Sequence, residues 1–326
     1  MGGSRYVVGI DLGGTHTQVG IVRVGEAGGA PEIVHRFGTE THAEEGFEAV
    51  VERMARGVRE ACEAGGVGFE EITAVGVGAP GAMDRSLEVV LEAPNLGRSG
   101  VSLAARLREA MAGLRVVVDN DVNVATYGEF RAGAARDARS CLGVWVGTGV
   151  GGGLVLDGRL YRGELGSAGE IGMTVLFPEL ARDRMRMEHH ASRKFVTRRI
   201  VEAIGEGERS SLGTMVREGR RVRADDVARA YAEGDALVRR EVDRGADLLG
   251  VAIANAVTLL ALPLVVLGGG MVEALGEGYV GRVGESMRRH VHPPANGEKV
   301  GVRMTALREN AGLLGAAMLA EELSRG

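Results

Sequence analysis

A chain of 326 residues that is 45% hydrophobic and 25% charged is long enough to build two domains, each with its own core. Its net charge of −5 and pI near 5.9 provide no broad basic field, which argues against nucleic acid as a partner. Cys62 and Cys141 are the only cysteines, so a four-cysteine zinc site is ruled out and a reducing compartment is expected. The start, Met1-Gly2-Gly3-Ser4-Arg5, has no signal-peptide core, and the longest apolar stretch, Val251 to Leu267, is interrupted by Asn255 and Pro263. A cytoplasmic protein with no membrane partner is the expectation.

Tyr6 to Ile10 and Gln18 to Val24 are β-rich and flank a first glycine turn, Asp11-Leu12-Gly13-Gly14-Thr15. A dinucleotide fingerprint or a Walker loop needs a helix straight after its glycines, so this strand-turn-strand arrangement fits neither. Helical spacing follows over Gly46 to Ala64, with Gly65-Gly66 as a stop, and then a strand over Ile72 to Val77 ends in a loop containing Gly81. Leu103 to Met111 is predicted helical and Arg115 to Val118 a strand. Asp119-Asn120-Asp121-Val122-Asn123 sits at that strand's end, before a helix running past Gly128. Open α/β sheets bind ligands at such strand ends.

Cys141 to Val146 leads into a second glycine turn, Gly147-Thr148-Gly149-Val150-Gly151-Gly152-Gly153, and Leu154-Val155-Leu156 leads out of it. Glycine permits positive φ and close approach of backbone N–H groups to phosphate oxygens, while Thr15 and Thr148 add hydroxyl donors. Either turn alone is equally a tight hairpin in a chain with 53 glycines; the pair favours a phosphate clamp in a duplicated architecture. Residues 163 to 195 are the least regular, helices are expected over much of 195 to 260, and Leu264 to Leu267 is a strand leading into Gly268-Gly269-Gly270. Asn310 to Leu323 is a closing helix. The alternation of strands and helices argues for an α/β fold. The small lobe is placed at 1–118 plus 306–326 and the large lobe at 119–305.

In this order the motifs resemble the ROK sugar kinases, bacterial glucokinases especially, within the actin-like ATPase superfamily. The resemblance runs nearly end to end and implies a two-lobed, ribonuclease H-like duplicated α/β fold with an interlobe cleft. Asp11 to Thr15 resembles the first phosphate motif, Asp119-Asn120-Asp121 the catalytic segment, Gly147 to Gly153 the second phosphate motif, and Gly268-Gly269-Gly270 the adenosine-side glycines. ATP is thereby expected at Asp11, Gly13, Gly14, Thr15, Gly147, Thr148, Gly149, Gly151, Gly269 and Gly270, with Asp11 orienting Mg²⁺ or its waters. A turn-forming role is the other reading of Asp11. Gly81, Asn95, Asn120, Glu170 and Glu188 are the expected sugar-side residues, since amides and carboxylates engage vicinal hydroxyls through paired hydrogen bonds.

Phosphoryl transfer to a sugar hydroxyl needs positioning, charge stabilisation and a carboxylate to take the hydroxyl proton. An aspartate, with a reference pKa of about 3.9, is ionised at neutral pH. Spacing leaves Asp121 equally a helix N-cap or that base, and the resemblance selects the base. The resemblance also implies a homodimer.

The chain departs from the family pattern after the second turn. Glu170-Ile171-Gly172 is followed by Met173, so the family's histidine is either replaced by Met173 or deleted ahead of Met173-Thr174-Val175, and no cysteine lies between there and Glu188, so no structural zinc site is expected. His189 and His190 are adjacent, point about 100° apart on a helix and make a poor chelating pair. Packing through Met185, Met187 and Phe177 is expected to hold this loop instead.

The leading expectation is an ATP- and Mg²⁺-dependent hexose kinase, with glucose as the family's default acceptor. Mannose, fructose, an N-acetylhexosamine, or polyphosphate as donor remain alternatives, as does a non-catalytic sugar-binding protein. A repressor of the same family would carry a winged helix-turn-helix before its first phosphate motif, and only ten residues precede Asp11.

Overall fold

The computed structural model describes residues 5–25, 30–83, 89–92 and 100–325. The chain forms two units, one within residues 1–139, 153–169 and 309–326 and the other within 140–152 and 170–308.

In the first unit, β1 (Arg5–Leu12) and β2 (His16–Val24) form the hairpin around the first glycine turn, and β3 (Glu32–Glu40) pairs antiparallel with β2. The polar, half-exposed sequence of β3 gives no period-2 signal; it is a strand because β2 offers it an edge. After α1 (Phe47–Gly65) comes β4 (Ile72–Ala79), parallel to β1. Three short strands, β5 (Ala82–Met83), β6 (Val89–Glu92) and β7 (Val101–Ser102), form a separate small sheet. α2 (Leu103–Ala110), β8 (Val116–Asn120) and α3 (Asp121–Ala132) follow, with β8 parallel to β4. The resulting sheet order is β3-β2-β1-β4-β8. Val7, Val8, Ile10 and Leu12 of β1 are all fully buried, the near-continuous apolar run of a strand covered on both faces. α1 stops as its spacing predicts, because Gly66 adopts φ 65° and donates its N–H to the carbonyls at the helix end.

The second sheet has the order β11-β10-β9-β12-β13, formed by β9 (Cys141–Val146), β10 (Val150–Leu156), β11 (Arg159–Tyr161), β12 (Leu264–Gly268) and β13 (Gly301–Met304). Strand for strand, this repeats the order of the first sheet. Between β11 and β12 lie α4 (Glu188–Ala191), α5 (Arg193–Gly205), α6 (Gly213–Arg217), α7 (Ala224–Ala232) and α8 (Ala236–Leu260). α9 (Gly270–Leu275), α10 (Glu277–His290) and α11 (Pro294–Gly297) precede β13, and α12 (Ala311–Arg325) closes the chain. The apolar stretch from Val251 is thus the end of a buried helix followed by a strand, and no helix among the described residues is long and apolar enough to cross a membrane.

α12 lies against the first sheet at backbone contact distance. A Cβ on Gly9 of β1 would overlap the carbonyl oxygen of Leu313, and one on Gly76 of β4 would overlap that of Ala316. Both obstacles are helix backbone and cannot rotate away, so Gly76→Ala is expected to destabilise by about 2–4 kcal/mol. Gly281→Ala, on an exposed helix position with open space around it, is expected to stabilise by about 0.5–1 kcal/mol. Urea unfolding of the two variants measures both, and equal effects would contradict the packing argument.

Candidate active site

The parallel register of the first sheet assembles the acidic residues of the first unit. Asp11 pairs with Gly78 of β4, and Gly78 pairs in turn with Asp119 of β8, so the C-terminal ends of three adjacent strands are level. Asp11 and the Asp119–Asp121 segment therefore sit two strand spacings apart, roughly 10 Å.

Asn120 is the N-cap of α3. Its Oδ1 accepts the amides of Val122 and Asn123 at 2.9 and 3.1 Å, and its Nδ2 donates to the Gly81 carbonyl at 3.1 Å. The capping role that the sequence left open for Asp121 thus falls to its neighbour. Asp121 becomes the first helical residue, where the positive end of α3 favours a carboxylate. Gly81 takes φ 112°, which turns the chain after β4 and presents the carbonyl that Asn120 uses.

Asp119, at 1% exposure, orients this segment. Its Oδ1 accepts the Asn120 amide at 2.7 Å and the Asn123 side chain at 2.9 Å, and its Oδ2 accepts Arg162 Nε at 2.6 Å. Arg162 follows β11, 43 residues away in sequence, and no local signal pointed to it.

Asp11 is partly buried at the end of β1, and its carboxylate faces the first turn of α12, where a Cβ on Gly312 would come within 2.8 Å of Oδ2. Burial pushes its pKa up to about 6. Among the described residues its carboxylate makes no hydrogen bond or ion pair. An enclosed carboxylate without a cationic partner fits a hydrated divalent cation, a hard ion that takes oxygen ligands and keeps its waters. No group of three or more His, Cys, Asp or Glu among the described residues is placed to hold a metal on its own.

The first glycine turn closes through the Gly13 amide on the His16 carbonyl at 2.9 Å, and the Thr41 side chain donates to the Gly13 carbonyl at 2.7 Å. Neither glycine turn uses positive φ at any of its glycines, contrary to the conformational argument from sequence. Close approach is the reason that the structure supplies at two positions, since a Cβ on Gly13 would lie 2.6 Å from the His16 carbonyl oxygen and one on Gly149 would overlap the Glu188 carboxylate, whereas Gly147 has open space around it.

In the second unit, the candidate residues gather around the β9–β10 turn. Glu188 accepts the Val150 amide at 2.9 Å, which ties a sugar-side candidate to the phosphate turn. Burial and then the Glu188 charge push the Glu170 pKa up. Gly268 packs against the Trp145 ring, and Gly269, at φ 91°, lies on the Val146 backbone and opens α9. Gly270 has open space where its side chain would be. Thr148, exposed at the tip, accepts a hydrogen bond from Arg193. Asn95 lies outside the described residues.

The family profile described as the ROK family matches residues 7–323. The chain belongs to the ROK family. It is 30% identical over 324 residues to a glucokinase of Halalkalibacterium halodurans, an overlap of 98% of this chain and 96% of that protein. Its fold matches the crystal structure of a ROK hexokinase from Thermus thermophilus with a TM-score of 0.78 at 32% identity, covering 98% of this chain and 100% of that one. A ROK glucokinase from Streptomyces griseus, crystallised with glucose and AMPPNP, matches with a TM-score of 0.81 at 28% identity, covering 97% and 99%. The family and the duplicated α/β fold expected from sequence are borne out.

The segment where this ROK chain departs from its family's cysteine motif is held by backbone pairing. Val175 bridges Arg186, the Leu176 and Phe177 amides donate to the Met185 carbonyl at 2.9 and 3.1 Å, and the Met187 amide donates to Thr174 at 2.9 Å. Met187 is fully buried, and Phe177 meets the His190 ring edge-on at 4.8 Å between centroids. His190 donates from Nε2 to the Arg184 carbonyl at 2.7 Å, and desolvation lowers its pKa, so the ring is neutral and crosses the loop as a strut. Met173 is at the surface, with its sulfur 3.1 Å from Arg186 Nη1.

Proposed function

We propose that this chain transfers the γ-phosphoryl group of ATP to the 6-hydroxyl of a hexose, with glucose as the favoured acceptor. The observation that carries this reading is the level alignment of Asp11 with the Asn120–Asp121 segment across β4, in a chain whose ROK relatives include glucokinases. A carboxylate suited to a cation and a carboxylate suited to a proton then stand at the ends of strands on either side of β4.

Asp121 accepts the proton of the sugar hydroxyl as its oxygen bonds to the γ-phosphorus, and the bond to the bridging oxygen breaks to leave ADP. Asn120, with one Nδ2 hydrogen committed to Gly81, offers its second to the sugar. Asn95, Glu170 and Glu188 are proposed to hold the other sugar hydroxyls. Gly13, Gly14 and Thr15, and Gly147, Thr148, Gly149 and Gly151, are proposed to donate backbone and hydroxyl hydrogens to the nucleotide phosphates. Gly269 and Gly270 are assigned to its adenosine side. Asp11 is the residue that would hold a hydrated Mg²⁺, which would supply charge neutralisation for phosphoryl transfer.

A coupled assay over glucose, mannose, fructose and N-acetylhexosamines, each with ATP and with polyphosphate, tests the proposal. The highest kcat/KM is expected for glucose with ATP. Turnover with a different hexose or with polyphosphate would replace the acceptor or donor named here, and no turnover with any pair would overturn the kinase reading.

A further inference from the structure

The second glycine turn contains no cationic residue, and the whole chain has only two lysines, Lys194 and Lys299. A triphosphate brings several negative charges to such a turn, and backbone amides alone carry only partial charge against them.

Arg193 is built into this turn. Its amide donates to the Gly147 carbonyl at 2.9 Å, and its guanidinium Nη2 donates to the Thr148 hydroxyl at 2.9 Å. It makes no ion pair with any described residue. It is also the first residue of α5, where the helix dipole disfavours a cation. No acidic residue lies in the first turn of α5, and the helix has no side-chain cap. Ser192, at the N-cap position where serine normally bonds a helix amide, is fully buried, and its hydroxyl has no partner among the described residues. These features break the usual rules of helix starts in one direction: each leaves positive charge or an unused donor where a negative group would be welcome.

We infer that Arg193 is a phosphate-binding residue for the phosphoryl donor. Its guanidinium exchanges the Thr148 hydroxyl for a phosphate oxygen of the bound nucleotide and, with the N-terminus of α5, supplies the charge that the glycine turn lacks. The inference rests on the kinase reading above and specifies its donor side. A guanidinium suits the task because its fork presents several N–H groups to a phosphate and stays charged at every working pH.

The test is ADP binding to the purified protein by calorimetry, together with KM values for ATP and sugar, in the parent and in Arg193→Met, Arg193→Lys and Lys194→Met. Arg193→Met is expected to weaken ADP binding and raise KM for ATP about tenfold, with KM for sugar unchanged within about twofold. Arg193→Lys should recover part of the loss, and Lys194→Met, whose ammonium rests over the Phe195 ring, should match the parent. The melting temperature of ligand-free Arg193→Met should hold or rise, because an unfavourable charge at a helix start has been removed.

Unchanged ADP affinity in Arg193→Met would overturn the inference. So would a lowered melting temperature with both KM values raised together, which would mark Arg193 as a structural pin of the turn. Absence of sugar phosphorylation in the parent would sink the kinase reading alone, since ADP affinity still reports on Arg193.

Discussion

Asp121→Asn is expected to lower kcat by about 10²- to 10⁴-fold while changing KM for sugar and ATP far less. The amide keeps the size and hydrogen-bonding reach of the side chain but cannot take the proton of the attacking hydroxyl. The structure separates this effect from a folding defect, because Asn120 Oδ1 accepts the amides of both Val122 and Asn123, and asparagine at 121 keeps an oxygen for the Val122 amide that Asp121 Oδ1 shares at 2.9 Å. Loss of negative charge from the first turn of α3 should cost only about 0.3–1 kcal/mol. A steady-state comparison with thermal melting checks both halves. Retention of kcat within a few-fold would remove Asp121 from the chemistry, and a large fall in melting temperature would return it to a structural role.

Asp11→Asn is expected to make the ligand-free protein more stable and the enzyme worse. Burial raises the folded-state pKa of Asp11 from 3.8 to about 6, so between these values the folded protein binds more proton than the unfolded chain. Stability therefore falls as pH rises through this window, and at pH 7.5 the ionised carboxylate burdens the fold by about 1–3 kcal/mol. The neighbouring N-terminus of α12 offsets part of that cost. The neutral amide avoids it, so the variant should melt a few degrees above the parent at pH 7.5 without Mg²⁺, and the gap should close near pH 4. With Mg²⁺ and ATP the order should reverse, since a ligand stabilises only the form that binds it. Loss of the carboxylate proposed to hold the cation should reduce kcat by about 10²-fold or more. A variant less stable than the parent at pH 7.5, or fully active with Mg²⁺, would show that Asp11 is a structural turn residue.

Much of the candidate site's layout was legible because its parts are contiguous. Asp119, Asn120 and Asp121 follow one another at a strand end, and the glycine turns are punctuated by the strands on either side. Division of labour within the segment was less legible. One-dimensional spacing assigns a cap to a strand-helix junction without choosing between adjacent Asn and Asp, and the choice came from backbone direction at Asn120, where φ −60° and ψ 142° aim the side chain at the amides of α3. Arg162 and Arg193 carried no recognisable pattern, being isolated arginines in an arginine-rich chain, and their meaning comes from what the fold places beside them. β3 was missed for the same reason, since its polar residues become a strand only by pairing with β2.

The sequence by itself determined the family, the α/β class and the presence of two strand-glycine-strand turns, because these depend on local periodicity and on residues adjacent in the chain. The tertiary structure decided which carboxylates stand level with one another, which residue caps α3, and why Gly13 and Gly149 are glycine. Those are distances between segments tens to hundreds of residues apart. The α12 carbonyls pressed on Gly9 and Gly76, the Glu188 carboxylate pressed on Gly149 and the Arg193 guanidinium held at Thr148 exist only once sheets and helices have packed.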